Sequence, residues 1–272
     1  MPHVIILAED RAAAEARAGV YAPLRGLRIT VAPDLAAGSD RSAGSAQAAD
    51  ELILADLSLL PVRDLYGAIR DVAARCRAVL LPPQAALPPD GERIQKLLGR
   101  NKMRGFIRNT LFFHPALARM LEVADAGCLG TITHIALTRS VTELACAELP
   151  ALEALCCRRY LPETEVRAAL AAATLASEKL QLRFPAAALA ADAAWEICLT
   201  GSGGTLTARA PQAGGGSVTL VQHHAPVRSW VVPMEDPGRL CLAAAITCLA
   251  SQEPLAFLDH KAVAKSLAFL VP

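Results

Sequence analysis

The chain has 272 residues, a net charge of +1 and an apolar fraction of 53%, which gives room for one large domain or two ordinary ones around a sizeable core. Its mixed, nearly balanced charge lacks the clustered basic face of a nucleic-acid-binding protein. It has no apolar run of about 18 residues and no basic N-terminal region leading into an apolar core, so it reads as a soluble, cytoplasmic protein with no membrane partner.

In chain order, His3 to Leu7 predicts a short apolar strand, Ala12 to Tyr21 a helix and Leu27 to Val31 a second strand. That is the opening of a βαβ unit. Asp34 then falls near the place where a dinucleotide fold puts its ribose-binding acid. The small, polar stretch from Gly38 to Ala49 reads as a loop. Glu51 to Leu54 predicts a third strand, Leu65 to Arg75 a helix, and Ala78 to Leu81 a fourth strand. Pro82-Pro83 and Pro88-Pro89 interrupt regular structure, and Gly91 to Leu98 reads as another helix. Strands alternating with helices in this way predict a doubly wound, Rossmann-like parallel sheet.

The stretch from Gly105 to Ser140 organises the rest. It reads as a strand, then Phe113-His114-Pro115, a helix and another strand. Pro115 suits the first helical turn. Leu117, Met120, Leu121 and Ala124 recur at helical spacing. Gly127 and Gly130 suit a helix C-terminus followed by a tight turn. Thr131 to Arg139 alternates as a half-buried strand does.

Beyond Ser140, Leu149 to Tyr160 reads as helical. Glu165 to Leu175, Lys179 to Phe184 and Trp195 to Leu199 can supply strands. Thr205 to Arg209, Ser217 to Gln222 and Arg228 to Val232 predict further antiparallel strands. Arg239 to Leu249 and His260 to Leu270 close the chain as helices. The expected class is therefore α/β followed by α+β. Residues 1–125 form a degenerate Rossmann-like domain, and residues 126–272 an open, mostly antiparallel sheet domain. The closing helix, 260–270, is expected to pack back toward the first domain.

His114-Pro115, the turn Ala126-Gly127-Cys128-Leu129-Gly130, the strand from Thr131, the hairpin WEICLTGSGGTL from Trp195 to Leu206 and the closing segment from Glu253 to Leu270 together carry a resemblance. The chain resembles the Gfo/Idh/MocA-type (glucose–fructose oxidoreductase-like) dehydrogenases. The resemblance implies an NAD(P)-dependent oxidoreductase ancestry and an open sheet whose free face often forms a dimer. It also implies three signatures, and each is missing here. A Rossmann phosphate site needs glycines at its first turn. After its first strand this chain has Leu7-Ala8-Glu9-Asp10-Arg11, where Glu9 and Asp10 would repel a pyrophosphate. They read instead as an N-cap and first-turn acid. The family's Glu-Lys-Pro lysine aligns with Leu81-Pro82-Pro83. The family's Asp and His, one helical turn apart, find no counterpart in Ala145 to Glu153.

No other group of residues supplies catalytic chemistry. The eight cysteines contain no C-x-x-C pair and read as reduced, apolar side chains, so no metal is expected. Gly201-Ser202-Gly203-Gly204 reads as a hairpin turn. His223 and His224 are expected on opposite faces of a strand. His114 reads as a packing or capping residue. Lys96, Arg100, Lys102, Arg104 and Arg108 form a basic run.

The expected function is a non-catalytic accessory protein that presents a peptide or small-molecule intermediate to a partner enzyme of a biosynthetic pathway. Catalytic and cofactor residues are expected to be absent, with Glu9, Asp10, Asp34 and Pro82 at the degenerate cofactor positions. His114, Arg104, Arg108 and Arg139 are the candidate ligand or partner residues. A homo- or heterodimer through the second sheet is expected. The alternatives are an NAD(P)-dependent oxidoreductase with an unorthodox site, and a structural subunit paired with an active homologue.

Overall fold

The computed structural model describes residues 1–32, 52–139, 175–176, 181–183, 195–210, 215–253, 255 and 258–267. They belong to two compact units. One gathers the chain up to Asn109 with the helical segment from Gly238 onward, and the other runs from Thr110 to Pro237.

In the first unit, strands β1 (His3–Leu7), β2 (Arg28–Ala32), β3 (Ile53–Asp56), β4 (Ala78–Leu81) and β5 (Arg104–Ile107) form a five-stranded sheet in the order β2-β1-β3-β4-β5. Every pairing is parallel. All residues of β3 and β4 are buried, as expected of central parallel strands covered on both faces. The covering helices are α1 (Arg11–Tyr21), α2 (Val62–Val72) and α3 (Asp90–Arg100). In α2, Leu65, Ala68, Ile69 and Val72 are buried, which is one stripe at helical spacing. Each such Leu or Ile contributes roughly 1.5–3 kcal/mol by leaving water.

Helices α5 (Pro237–Ser251) and α6 (His260–Leu267) follow the second sheet in sequence. From Gly238 onward they group with the first unit, where α6 packs on α3, β5 and the 3-10 turn Pro83–Ala86. Cys241 and Leu242 of α5 are fully buried.

In the second unit, α4 (Pro115–Asp125) precedes β6 (Ile132–Arg139). Gly127 and Gly130 have φ of +75° and +61°, the left-handed conformation that ends α4 and turns the chain. The remaining strands are β7 (Leu175–Ala176), β8 (Gln181–Arg183), β9 (Trp195–Gly201), β10 (Gly204–Ala210), β11 (Gly216–Gln222) and β12 (Arg228–Val232). Their order is β12-β11-β10-β9-β6-β8-β7. All pairs are antiparallel except β6 with β8. Strands β9 and β10 alternate between buried and half-exposed positions. Their inward residues, Ile197, Leu199, Leu206 and Ala208, share one core with Leu117 and Met120 of α4.

The glycine-rich segment is the two-residue hairpin Ser202-Gly203 between β9 and β10. It docks on the turn after α4. Gly203 N–H donates to Leu129 O at 2.9 Å, and Ser202 N–H donates to Thr131 O at 2.9 Å. A Cβ on Gly201 would run into Leu129 O, so the close approach requires glycine there.

The two-sheet organisation expected from the sequence is the one observed. One local expectation is corrected. His223 and His224 do not lie on a strand. Strand β11 ends at Gln222, whose side-chain amide donates to Cys128 O at 2.9 Å. The chain then turns, with His224 at φ 63°. The helix expected at Leu149 to Tyr160, the Ala145 to Glu153 stretch and the loop from Gly38 to Ala49 lie outside the described residues, as does nearly all of Glu165 to Leu175.

Candidate functional site

The carboxyl ends of parallel strands are where open α/β sheets bind ligands, at the point where strand order reverses. Here β2 lies to one side of β1 and β3 to the other, so that point is between β1 and β3. A cleft of about 630 Å³ opens there. Its lining comes from the segments that follow β1, β3 and β4. These are Glu9, the stretch Ser58 to Arg63, Pro82 and Gln84.

The first turn decides what this cleft accepts. Asp10 is the N-cap of α1, and its Oδ1 accepts the N–H of Ala12 at 2.9 Å. A helix N-terminus holds a phosphate through its free N–H groups and dipole. In this chain a carboxylate of the chain itself already sits there. Glu9, exposed beside it, adds a second negative charge and lies 3.8 Å from Arg63. No glycine allows a ligand to approach the backbone between Leu7 and Arg11. The residues present do not fit the pyrophosphate of a dinucleotide. Pro82 lines the same cleft and caps the turn Pro83–Ala86, so it brings neither charge nor a side-chain donor.

Behind the cleft lies a buried polar network. Asp56, at the end of β3, has no exposure. Its Oδ2 accepts the Tyr21 hydroxyl at 2.7 Å, and its Oδ1 accepts Ser58 N–H at 2.9 Å. Arg17 Nη1 stands 3.5 Å from the carboxylate and donates to Ser58 Oγ at 3.0 Å. Burial, with Asp56 beside it, pushes the Tyr21 phenol above its ordinary value. The network ties α1 to the β3 end and fixes the loop that lines the cleft. Its three side chains, Arg17, Tyr21 and Asp56, escape a reading by sequence motif. The only local hint is a lone Asp inside the apolar run Ile53 to Leu57.

The other sequence-derived candidates are dispersed. Arg108 follows β5, with its backbone N–H on Leu81 O at 2.9 Å. Its Nε is buried with no hydrogen-bond partner among the described residues. The Arg104 guanidinium donates to Cys248 O at 2.7 Å and stacks over Phe106, 5.1 Å from the ring centre. His114 belongs to the second unit. It is the N-cap of α4, where its Nδ1 accepts Ala116 N–H at 3.2 Å, and its ring meets Trp195 edge-on at 4.9 Å. Arg139, at the end of β6, pairs through its backbone with Trp195 of β9, while its side chain and all of Asp34 lie outside the described residues. So Glu9, Asp10 and Pro82 cluster at the β1–β3–β4 ends, whereas His114 and Arg139 belong to the second unit. No grouping of His, Cys, Asp or Glu among the described residues is suited to a metal ion.

No protein-family model matches the chain, and no curated protein matches it. Solved structures do. KijD10, a 3-ketoreductase from Actinomadura kijaniata in complex with TDP-benzene and NADP, superposes with a TM-score of 0.65 at 12% identity, covering 98% of this chain and 95% of that one. An oxidoreductase from Agrobacterium radiobacter in complex with NAD+, L-tartaric acid and magnesium gives 0.61 at 9% identity, over 98% and 94%. The chain has the fold of these oxidoreductases. At such identity the likeness speaks for the fold alone, and the first turn with Glu9 and Asp10 is a property of this chain. No described helix is long and apolar enough to cross a membrane.

Proposed function

We propose that this protein is a non-catalytic accessory protein built on an oxidoreductase fold. It holds a peptide or small-molecule intermediate for a partner enzyme in a biosynthetic pathway. The observation that carries this reading is the Asp10 carboxylate on Ala12 N–H. It places negative charge on the helix N-terminus that a dinucleotide would need. The cleft beside it is large enough for a small molecule. Among the described strands, β12 is an end strand with Val231 90% exposed, a position at which an extended peptide can add to a sheet.

The rival reading is an NAD(P)-dependent oxidoreductase with an unorthodox site, favoured by the dinucleotide complexes of the similar structures. A gain-of-binding variant separates the two. Replacing Glu9→Gly and Asp10→Gly together removes both charges and opens the turn. NADPH affinity is then expected to rise tenfold or more over the native chain. Equal micromolar affinity in both proteins would favour the rival.

A further inference from the structure

A second cavity, of about 290 Å³, lies within the first unit, where β5 begins rather than where the parallel strands end. The last turns of α3, the start of β5 and the start of α6 enclose it. Two glycines shape its wall. A Cβ on Gly105 would lie 2.5 Å from Leu98 Cδ1 and 3.0 Å from His260 Cβ, so these two side chains close directly over the β5 backbone. A Cβ on Gly99 would meet nothing within 4 Å, so α3 leaves open space at that point. Leu98 and Met103, both buried, supply the apolar side of the cavity.

Arg104 sets the chemistry of the site. It is the first residue of β5 and is half-buried. Its Nη1 donates to Cys248 O of α5 at 2.7 Å, and its guanidinium lies over the Phe106 ring, 5.1 Å from the ring centre. Both contacts are with uncharged groups. They fix the guanidinium in place, while its other donors have no partner among the described residues. A guanidinium drawn partly out of water with no carboxylate beside it is costly to the fold. Lys261, exposed, adds a second positive charge to the lining. Asp259 is the acid of the lining, and its Oδ1 accepts Ala262 N–H at 3.1 Å in the first turn of α6. The His260 ring sets its Nε2 against Ala85 O and, with burial lowering its pKa, adds no charge at neutral pH. Cations therefore outnumber acids around this cavity.

We infer that this cavity is a binding site for a small organic monocarboxylate, with its carboxylate on Arg104 and its apolar part against Leu98 and Met103. The planar donors of a guanidinium match a carboxylate in pairs. The volume of about 290 Å³ stands at the lower end of the roughly 300–1,000 Å³ of ligand sites, so it suits a short chain or a single ring rather than a dinucleotide. Inorganic phosphate shares the affinity for a guanidinium but has no apolar part to place on Leu98 and Met103. The site is separate from the cleft and does not depend on what the cleft holds.

The test is NMR of the full chain labelled with carbon-13 at its methionine methyl groups and titrated with hexanoate. Each of the four methionines gives one methyl signal, and Met103→Leu identifies that of Met103. Hexanoate is expected to shift the Met103 signal saturably and to leave that of Met120, in the core of the second unit, in place. The dissociation constant should rise tenfold or more in Arg104→Gln. Hexanol, which has the same chain and no charge, and inorganic phosphate should leave the Met103 signal unmoved at the same concentrations. Should Arg104→Gln fail to fold, Lys261→Glu, a change at an exposed position, is expected to weaken hexanoate severalfold. No saturable shift of Met103, an equal response to hexanol or to phosphate, or unchanged affinity in the variant that folds would each overturn the assignment.

Discussion

Tyr21 Oη donates a 2.7 Å hydrogen bond to Asp56 Oδ2, and neither side chain is exposed to solvent. A buried carboxylate is tolerable only when its lone pairs are satisfied. Tyr21→Phe leaves Asp56 one donor short and is expected to destabilise the protein by about 1–3 kcal/mol. Urea unfolding reads this directly. A loss within error of zero would mean that Arg17 and Ser58 alone satisfy the carboxylate.

Alkaline stability follows from two buried thiols. Burial raises Cys76 and Cys241 from 9.0 to about 12. In each case the folded state holds its proton more tightly than the unfolded chain, so the stability is fully present below pH 9. It is lost as pH rises toward 12. Tyr21, also raised, adds to the loss above its ordinary value of 10.0. The free energy of unfolding should fall through this window, and less steeply in Cys76→Ala/Cys241→Ala. Equal slopes in the two proteins would contradict the assignment to these thiols.

Acid acts through a different residue. His260 is 1% exposed and lines up against Ala85 O, 3.0 Å from its Nε2. The carbonyl can only accept, so Nε2 carries the proton, and Nδ1 is buried with no hydrogen-bond partner among the described residues. Burial lowers its pKa below the ordinary 6.5. A lowered histidine contributes stability that is present above 6.5 and declines as pH falls below it, because the unfolded imidazole protonates first. His260→Gln, which keeps a donor for Ala85 O, should flatten the acid limb of the stability profile. An unchanged limb would point to the carboxylates instead.

Gly105 tests the packing of α3 and α6 on β5. A Cβ there would meet Leu98 Cδ1 at 2.5 Å and His260 Cβ at 3.0 Å. Gly105→Ala is expected to cost about 1–3 kcal/mol by overpacking, measured as a drop in the midpoint of urea unfolding. A neutral or stabilising result would show that α6 shifts freely on the sheet.

The parallel half of the fold was legible because its strands are short apolar runs and its helices have strong apolar stripes, as at Leu65, Ala68, Ile69 and Val72. The capping role of Asp10 was legible too, since an Asp before a helix has few local alternatives. Asp56 was not. Its strand was expected to end at Leu54, two residues early, and its partner Tyr21 is 35 positions away, beyond any local pattern. His223 and His224 misled for a related reason. Strand β11 ends at Gln222 because its partner β10 begins opposite it, at Gly204 after the hairpin, and Gln222 there reaches Cys128 O, far away in sequence.

The cleft reading stands or falls on nucleotide binding. Isothermal titration of the native, tag-free chain with NAD+, NADH, NADP+ and NADPH is the direct measurement, with circular dichroism confirming that the sample is folded. The Asp10 cap on Ala12 N–H predicts no saturable heat from any of the four. Micromolar binding of any one of them would contradict a closed dinucleotide site and restore the redox reading.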